Sequence, residues 1–85
     1  MSLIDFPARA FNLAFGRIIA ARRERLRPRV PQERFAFETG VDRSNYGKLE
    51  RGEHTPSFER AWRIARRLRI PLSRLIAAVE KEMGI

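Results

Sequence analysis

Between Arg43 and Arg51 the chain reads RSNYGKLER. Tyr46 and Leu49 are apolar and three apart, whereas Arg43, Ser44, Asn45, Gly47, Lys48 and Arg51 are small, polar or basic. On a helix this spacing turns the first pair inward and leaves the others on the outer side. An outer face of that kind suits the donor and acceptor pattern of a DNA major groove, where Arg and Lys donate to guanine O6 and N7. Catalytic chemistry finds less support. Ser44, Ser57 and Ser73 have no histidine at a useful spacing, because His54 is the single histidine. Neither a nucleophile–base–orienter set nor a glycine-rich phosphate loop is visible, and the few carboxylates are scattered among arginines. An enzyme is therefore not expected. One histidine and no cysteine give no basis for a metal site, and no cofactor is expected.

The charge balance points the same way. Lys and Arg number 18 against 10 Asp and Glu, a formal net charge of +8 on 85 residues. So strong a positive field favours nucleic acid or an anionic membrane surface. Most of the basic residues are arginine, which binds phosphate and guanine bidentately, although arginine richness also follows from codon usage in a GC-rich genome. The absence of cysteine is compatible with a reducing cytosol. No apolar run approaches membrane-spanning length, and no basic-then-apolar signal pattern opens the chain. A cytoplasmic protein with no membrane partner is expected.

The reading face needs elements to hold it. Phe35, Ala36 and Thr39 share one side of a helix beginning near Gln32, and Gly40 stops that helix in a left-handed turn. Val41 tucks inward, Asp42 caps a second helix starting at Arg43, and Gly52 closes it. Two helices crossing steeply over so short a turn need a small residue at their contact, which Ala36 supplies. Ahead of this unit, Phe11, Phe15, Ile18, Ile19 and Leu26 mark a helix over about 8–26, with Asp5 as its expected cap and Gly16 as a weak spot within it. Pro28 and Pro31 force a loop. Its Arg27 and Arg29 either reach a phosphate backbone or keep the loop solvated. Ser57 caps a helix over about 57–68 whose expected apolar stripe is Phe58, Ala61, Trp62, Ala65 and Leu68, with Trp62 in the core. A last helix over about 71–83 carries Leu75, Ile76, Val79 and Met83. The sum is one all-α domain of five helices over residues 1–85, with the paired-helix motif at 32–52 and neither strand nor repeat.

Gln32, Ala36, Gly40-Val41, Tyr46, Leu49 and Glu50-Arg51-Gly52, with Thr55-Pro56-Ser57-Phe58 and Ile70-Pro71-Leu72-Ser73 downstream, resemble the helix-turn-helix of the phage-repressor (lambda-repressor-like, Cro/C1 or Xre-type) family. The resemblance covers roughly residues 15–76. Asp42-Arg43-Ser44 and Leu49-Glu50-Arg51-Gly52 also resemble the controller proteins of restriction-modification systems. It implies a regulator of transcription that binds double-stranded DNA, acts as a homodimer and needs no cofactor. By the same resemblance Arg43, Ser44 and Lys48 read bases, with Asn45 at the backbone or an adjacent base. Gln32, Arg51, His54 and Thr55 lie near phosphate, with Arg29 of the loop as a further candidate. Glu50 pairs with an arginine of the first helix, Arg22 or Arg23, and is structural. The chain departs from the family in its longer 27–31 loop, in Pro31 where Ser or Thr usually caps, and in Gly47 where a small polar residue is common. For the dimer contact, Val79 and Met83 are one candidate surface, and Phe6, Phe11 and Leu13 are another. The alternative is an antitoxin or adaptor that acts mainly through a protein partner.

Overall fold

The structure, a computed structural model, describes residues 3–85. Five helices follow in order: α1 (Ala8–Glu24), α2 (Gln32–Thr39), α3 (Arg43–Glu50), α4 (Phe58–Arg67) and α5 (Leu72–Met83). Among the described residues there is no strand. α1 packs on α3 and α5, while α2 is held between α3 and α4, and α4 leans on α5. No helix is long and apolar enough to cross a membrane.

The helix ends follow from local chemistry. Gly40 takes φ 75° and closes α2 with two bonds: its own N–H donates to the Phe37 carbonyl at 3.1 Å, and Val41 N–H donates to the Ala36 carbonyl at 3.2 Å. That pair of bonds satisfies carbonyls which the helix end would otherwise leave unpaired. The Asp42 carboxylate accepts from Asn45 N–H at 3.2 Å and starts α3, as the Ser57 hydroxyl accepts from Arg60 N–H at 3.1 Å and starts α4. Pro31 and Pro71 open α2 and α5 with no side-chain cap. Asp5 does not cap α1: Pro7 precedes the helix and its carbonyl accepts from Phe11 N–H at 2.9 Å. α1 ends at Glu24, short of Leu26, where Arg27 Nη1 donates to the Glu24 and Leu26 carbonyls.

The core is Phe15, Ile19, Phe35, Tyr46, Leu49, Ile64, Leu75 and Val79 at its largest, with Ala14, Ala36, Ala61 and Ala65 letting the helices close on one another. Two expectations give way here. Trp62 is 50 % exposed and Phe58 79 % exposed, while Ile64 takes the inner position. Ala61, Ile64, Ala65 and Leu68 form an i, i+3, i+4, i+7 face, and its alanines bring α4 too close to the core for an indole to fit beneath. Val79 is fully buried, as is Leu75 one turn before it, and Met83 packs half-buried against the same cluster. Val79 therefore offers no exposed dimer contact, while Met83 keeps part of its surface open. Leu72 packs against the edge of the core, and Ile76 is half-buried.

Candidate nucleic-acid interface

α3 is steadied from beneath. Tyr46 and Leu49 anchor it in the core, and Gly16 of α1 lies against its last turn. A Cβ at Gly16 would stand 2.4 Å from the Glu50 carbonyl oxygen and 2.6 Å from that of Leu49, so glycine is what lets α1 and α3 meet. Past α3, Gly52 turns the chain at φ 74°, with Leu13 packed beside it.

Glu50 sits at the centre of a bonded cluster on the inner side of α3. Arg23 Nε donates to its Oε2 at 2.8 Å and Nη2 to its Oε1 at 3.2 Å. The Tyr46 hydroxyl donates to Oε2 at 2.6 Å and Gln32 Nε2 to Oε1 at 2.8 Å. Arg23 Nη1 also donates to the Val30 carbonyl at 3.1 Å, tying the α1–α2 loop to the cluster. Burial works to raise the pKa of the Glu50 carboxyl, but the hydrogen bonds from Arg23, Tyr46 and Gln32 outweigh it and hold that pKa below the usual carboxylate value. The bond to Glu50 raises Arg23 further above its ordinary value. Burial first, and then the bond to Glu50, pushes the Tyr46 phenol well up, so its proton stays in place. Arg23 is thus the partner of Glu50. Arg22, one residue earlier, lies on a different side of α1 and forms no ion pair among the described residues.

On the outer side, Gln32, Arg43, Ser44 and Arg51 line one shallow depression of about 340 Å³ around Gly47. Gly47 lies on this outer side but is covered by neighbouring side chains and so is buried. A Cβ there would come to 3.1 Å from Arg51 Nη1 and 3.7 Å from Gln32 Oε1. Ser44 is exposed and Lys48, one turn on, is half-buried without an ion pair among the described residues. Asn45 is half-buried and its backbone N–H is taken by Asp42. Gln32 uses its side-chain amide on Glu50, and the first turn of α2 has no side-chain cap. His54 and Thr55 are exposed in the turn after α3, and Thr55 lines a second, apolar depression with Phe58. Arg29 is exposed and without an ion pair among the described residues, whereas Arg27 is spent on α1 carbonyls.

Two carboxylates that the sequence reading passed over border this surface. Glu33 pairs with Arg43 at 2.7 Å and Glu53 with Arg51 at 2.7 Å. The Arg51 bond holds Glu53 below its ordinary pKa, and the Glu53 bond raises Arg51. Glu53 stands two residues from Arg51 and was open to notice. Nothing in sequence spacing joins Glu33 to Arg43, since they meet only across the turn.

Comparison with known proteins agrees with this geometry. The helix-turn-helix family model HTH_3 matches residues 19–75. Among solved structures, the crystal structure of the clp gene regulator ClgR from Corynebacterium glutamicum superposes with a TM-score of 0.76 at 19 % identity, over 87 % of this chain and 77 % of that one. That likeness is one of fold. No curated protein matches the chain. With two thirds of its length under the family model, which spans α2, α3 and α4 whole, the chain belongs to the Cro/C1-type helix-turn-helix family of DNA-binding domains.

Proposed function

We propose that this chain is a transcriptional regulator, of repressor or controller type, which binds duplex DNA sequence-specifically as a homodimer. The observation that carries the reading is how α3 disposes of its charge. Glu50 is its one carboxylate, and it is drawn inward onto Arg23, Tyr46 and Gln32. What remains outward is Arg43, Ser44 and Lys48. A helix so arranged meets a major groove without repelling the phosphates on either side of it. Arg43 and Lys48 then read guanine, Ser44 and Asn45 make the shorter contacts, and Gln32 with the α2 first turn, Arg51, His54 and Thr55 meet phosphate. Val79 is in the core, which removes it from the candidate surface of the homodimer and of the adaptor alternative alike.

α3 is eight residues, or ~12 Å long at 1.5 Å per residue. Successive major-groove faces lie about 34 Å apart, so each copy reads one half-site and a palindromic site requires two.

The test is binding across a salt series to two duplexes, the DNA upstream of the protein's own gene and a scrambled control, together with enrichment from a randomised duplex pool. Tight binding to one sequence with a steep salt dependence is expected. Arg43→Ala and Lys48→Ala should each weaken specific binding by ~1–3 kcal/mol while leaving thermal unfolding unchanged. Failure to enrich any sequence would overturn specific readout.

A further inference from the structure

The chain has five glycines, and backbone geometry accounts for four of them. Gly40, Gly52 and Gly84 take positive φ, and a Cβ at Gly16 would overlap the backbone of α3. Gly47 has neither reason. It stands in the interior of α3 without a positive φ. The nearest atoms to a Cβ there are Arg51 Nη1 at 3.1 Å and Gln32 Oε1 at 3.7 Å, both at the ends of side chains. The Arg51 side chain is 57 % exposed and has solvent to move into. Glycine is a poor residue for a helix interior, since it loses more backbone freedom than alanine on folding. Nothing in the packing of α3 asks for it.

Its place on the helix supplies a reason. Gly47 lies one turn after Arg43 and Ser44 and one turn before Arg51, and these three line the depression around it with Gln32. Ser44 is exposed and short. A hydroxyl carried on one carbon reaches a base edge only when the helix itself lies close against the floor of the groove.

We propose that Gly47 is the point where duplex DNA comes against the backbone of α3, and that its missing side chain sets how deeply the helix seats and so how specifically it reads. This rests on the sequence-specific DNA-binding reading and adds to it a residue that makes no side-chain contact of its own.

Depth matters unequally to the two kinds of contact. Hydrogen bonds to base edges hold over a narrow range of distance and angle. A methyl group at Gly47 would stand between α3 and the groove and lift Ser44, one turn away, off its base. Arginine and lysine reach phosphate on long, flexible stems and follow such a shift. A side chain at this position therefore costs specific binding and spares the charge-driven binding that any duplex receives. Arg51 is a movable cover. Its Nε and Nη2 donate to Glu53 at 2.7 and 3.4 Å, while Nη1 lies beside Gly47. That ion pair is exposed, so exchanging it for a phosphate costs little and opens the glycine to DNA.

The experiment measures binding of the full chain to the duplex that the wild type enriches from a randomised pool and to a scrambled duplex, beside melting by circular dichroism. The variants are Gly47→Ala, Gly47→Leu, Arg51→Ala and the double variant Gly47→Ala with Arg51→Ala. Gly47→Ala is expected to melt at or above the wild-type temperature, because alanine is the better helix former. It should bind the enriched duplex at least about tenfold more weakly, and Gly47→Leu more weakly still. Binding to the scrambled duplex should stay within about twofold. The Gly47→Ala loss should persist in the Arg51→Ala background. A loss that vanishes there would mean that the glycine only makes room for Arg51, and would overturn the proposal. So would wild-type affinity of Gly47→Ala for the enriched duplex, an equal loss on both duplexes, or a Gly47→Ala chain that melts well below the wild type. A wild type that enriches no duplex would sink the underlying reading as well, and that failure shows in the wild type alone.

Discussion

Glu50 is a partly buried carboxylate on α3, and three side chains, Arg23, Tyr46 and Gln32, neutralise or donate to it. The side chains of Arg23 and Glu50 are 11 % and 7 % exposed. Removing the carboxylate would strand a buried guanidinium, so Glu50→Ala should cost about 3–5 kcal/mol in urea unfolding. The pH dependence has a definite sign. The folded carboxyl has a pKa below its ordinary 4.5, so the folded state takes up a proton less readily than the unfolded one. The stability that Glu50 confers is complete above 4.5 and is lost as pH falls through the lowered value. In melting curves across that range, the advantage of the wild type over Glu50→Gln should shrink with acid. A constant difference would mean that the carboxylate charge is not what stabilises the cluster. Glu33 and Glu53 act differently. Their pairs with Arg43 and Arg51, at either end of α3, are exposed and contribute little to stability.

At the scale of the helices, Gly16 shows how a local weakness becomes a tertiary requirement. Within α1 a glycine is worse than alanine by ~1 kcal/mol. Against α3 the order reverses, because an alanine methyl would overlap two backbone carbonyls that cannot rotate away. Gly16→Ala should therefore destabilise the domain by a net ~1–3 kcal/mol, read by urea or thermal unfolding. DNA affinity should fall with it, since α1 also carries Arg23. A stabilised Gly16→Ala would show that α1 and α3 are free to separate. The same contrast explains which parts of the elements were legible. Gly40, Asp42 and Ser57 act through backbone groups within three residues of themselves, and sequence sufficed to place them. α4 was harder. Phe58, Ala61, Trp62 and Ala65 form as good a 3.6-residue stripe as Ala61, Ile64, Ala65 and Leu68, and only the closeness of α2 and α5 selects between them.

For the whole molecule, net charge and shape separate two kinds of binding. The +8 field draws the chain to any duplex, and each phosphate contact adds about 0.9 to the slope of log affinity against log salt. Arg51→Ala and Arg29→Ala should each lower that slope by about 1 per protomer and weaken specific and scrambled duplexes alike. Arg43→Ala should instead fall mainly on the specific duplex. Should Arg29→Ala leave the slope unchanged, the long 27–31 loop serves only to cross from α1 to α2, held there by the Val30 carbonyl on Arg23.

The sequence by itself determined the class of the domain and its helix-turn-helix, which depend on glycine, caps and a 3.6-residue period that act over a turn or two of chain. The pairing of Glu50 with α1 comes from the resemblance to the family, not from local spacing. Tertiary structure decided between neighbours that the period cannot separate: Arg23 over Arg22, Ile64 over Trp62, and Val79 inside with Ile76 half-buried. It also covered Gly47 with the side chains of Arg51 and Gln32 and joined Glu33 to Arg43 across the turn. Each of these turns on which element lies opposite and how near it comes, and that distance exists only once the helices have packed.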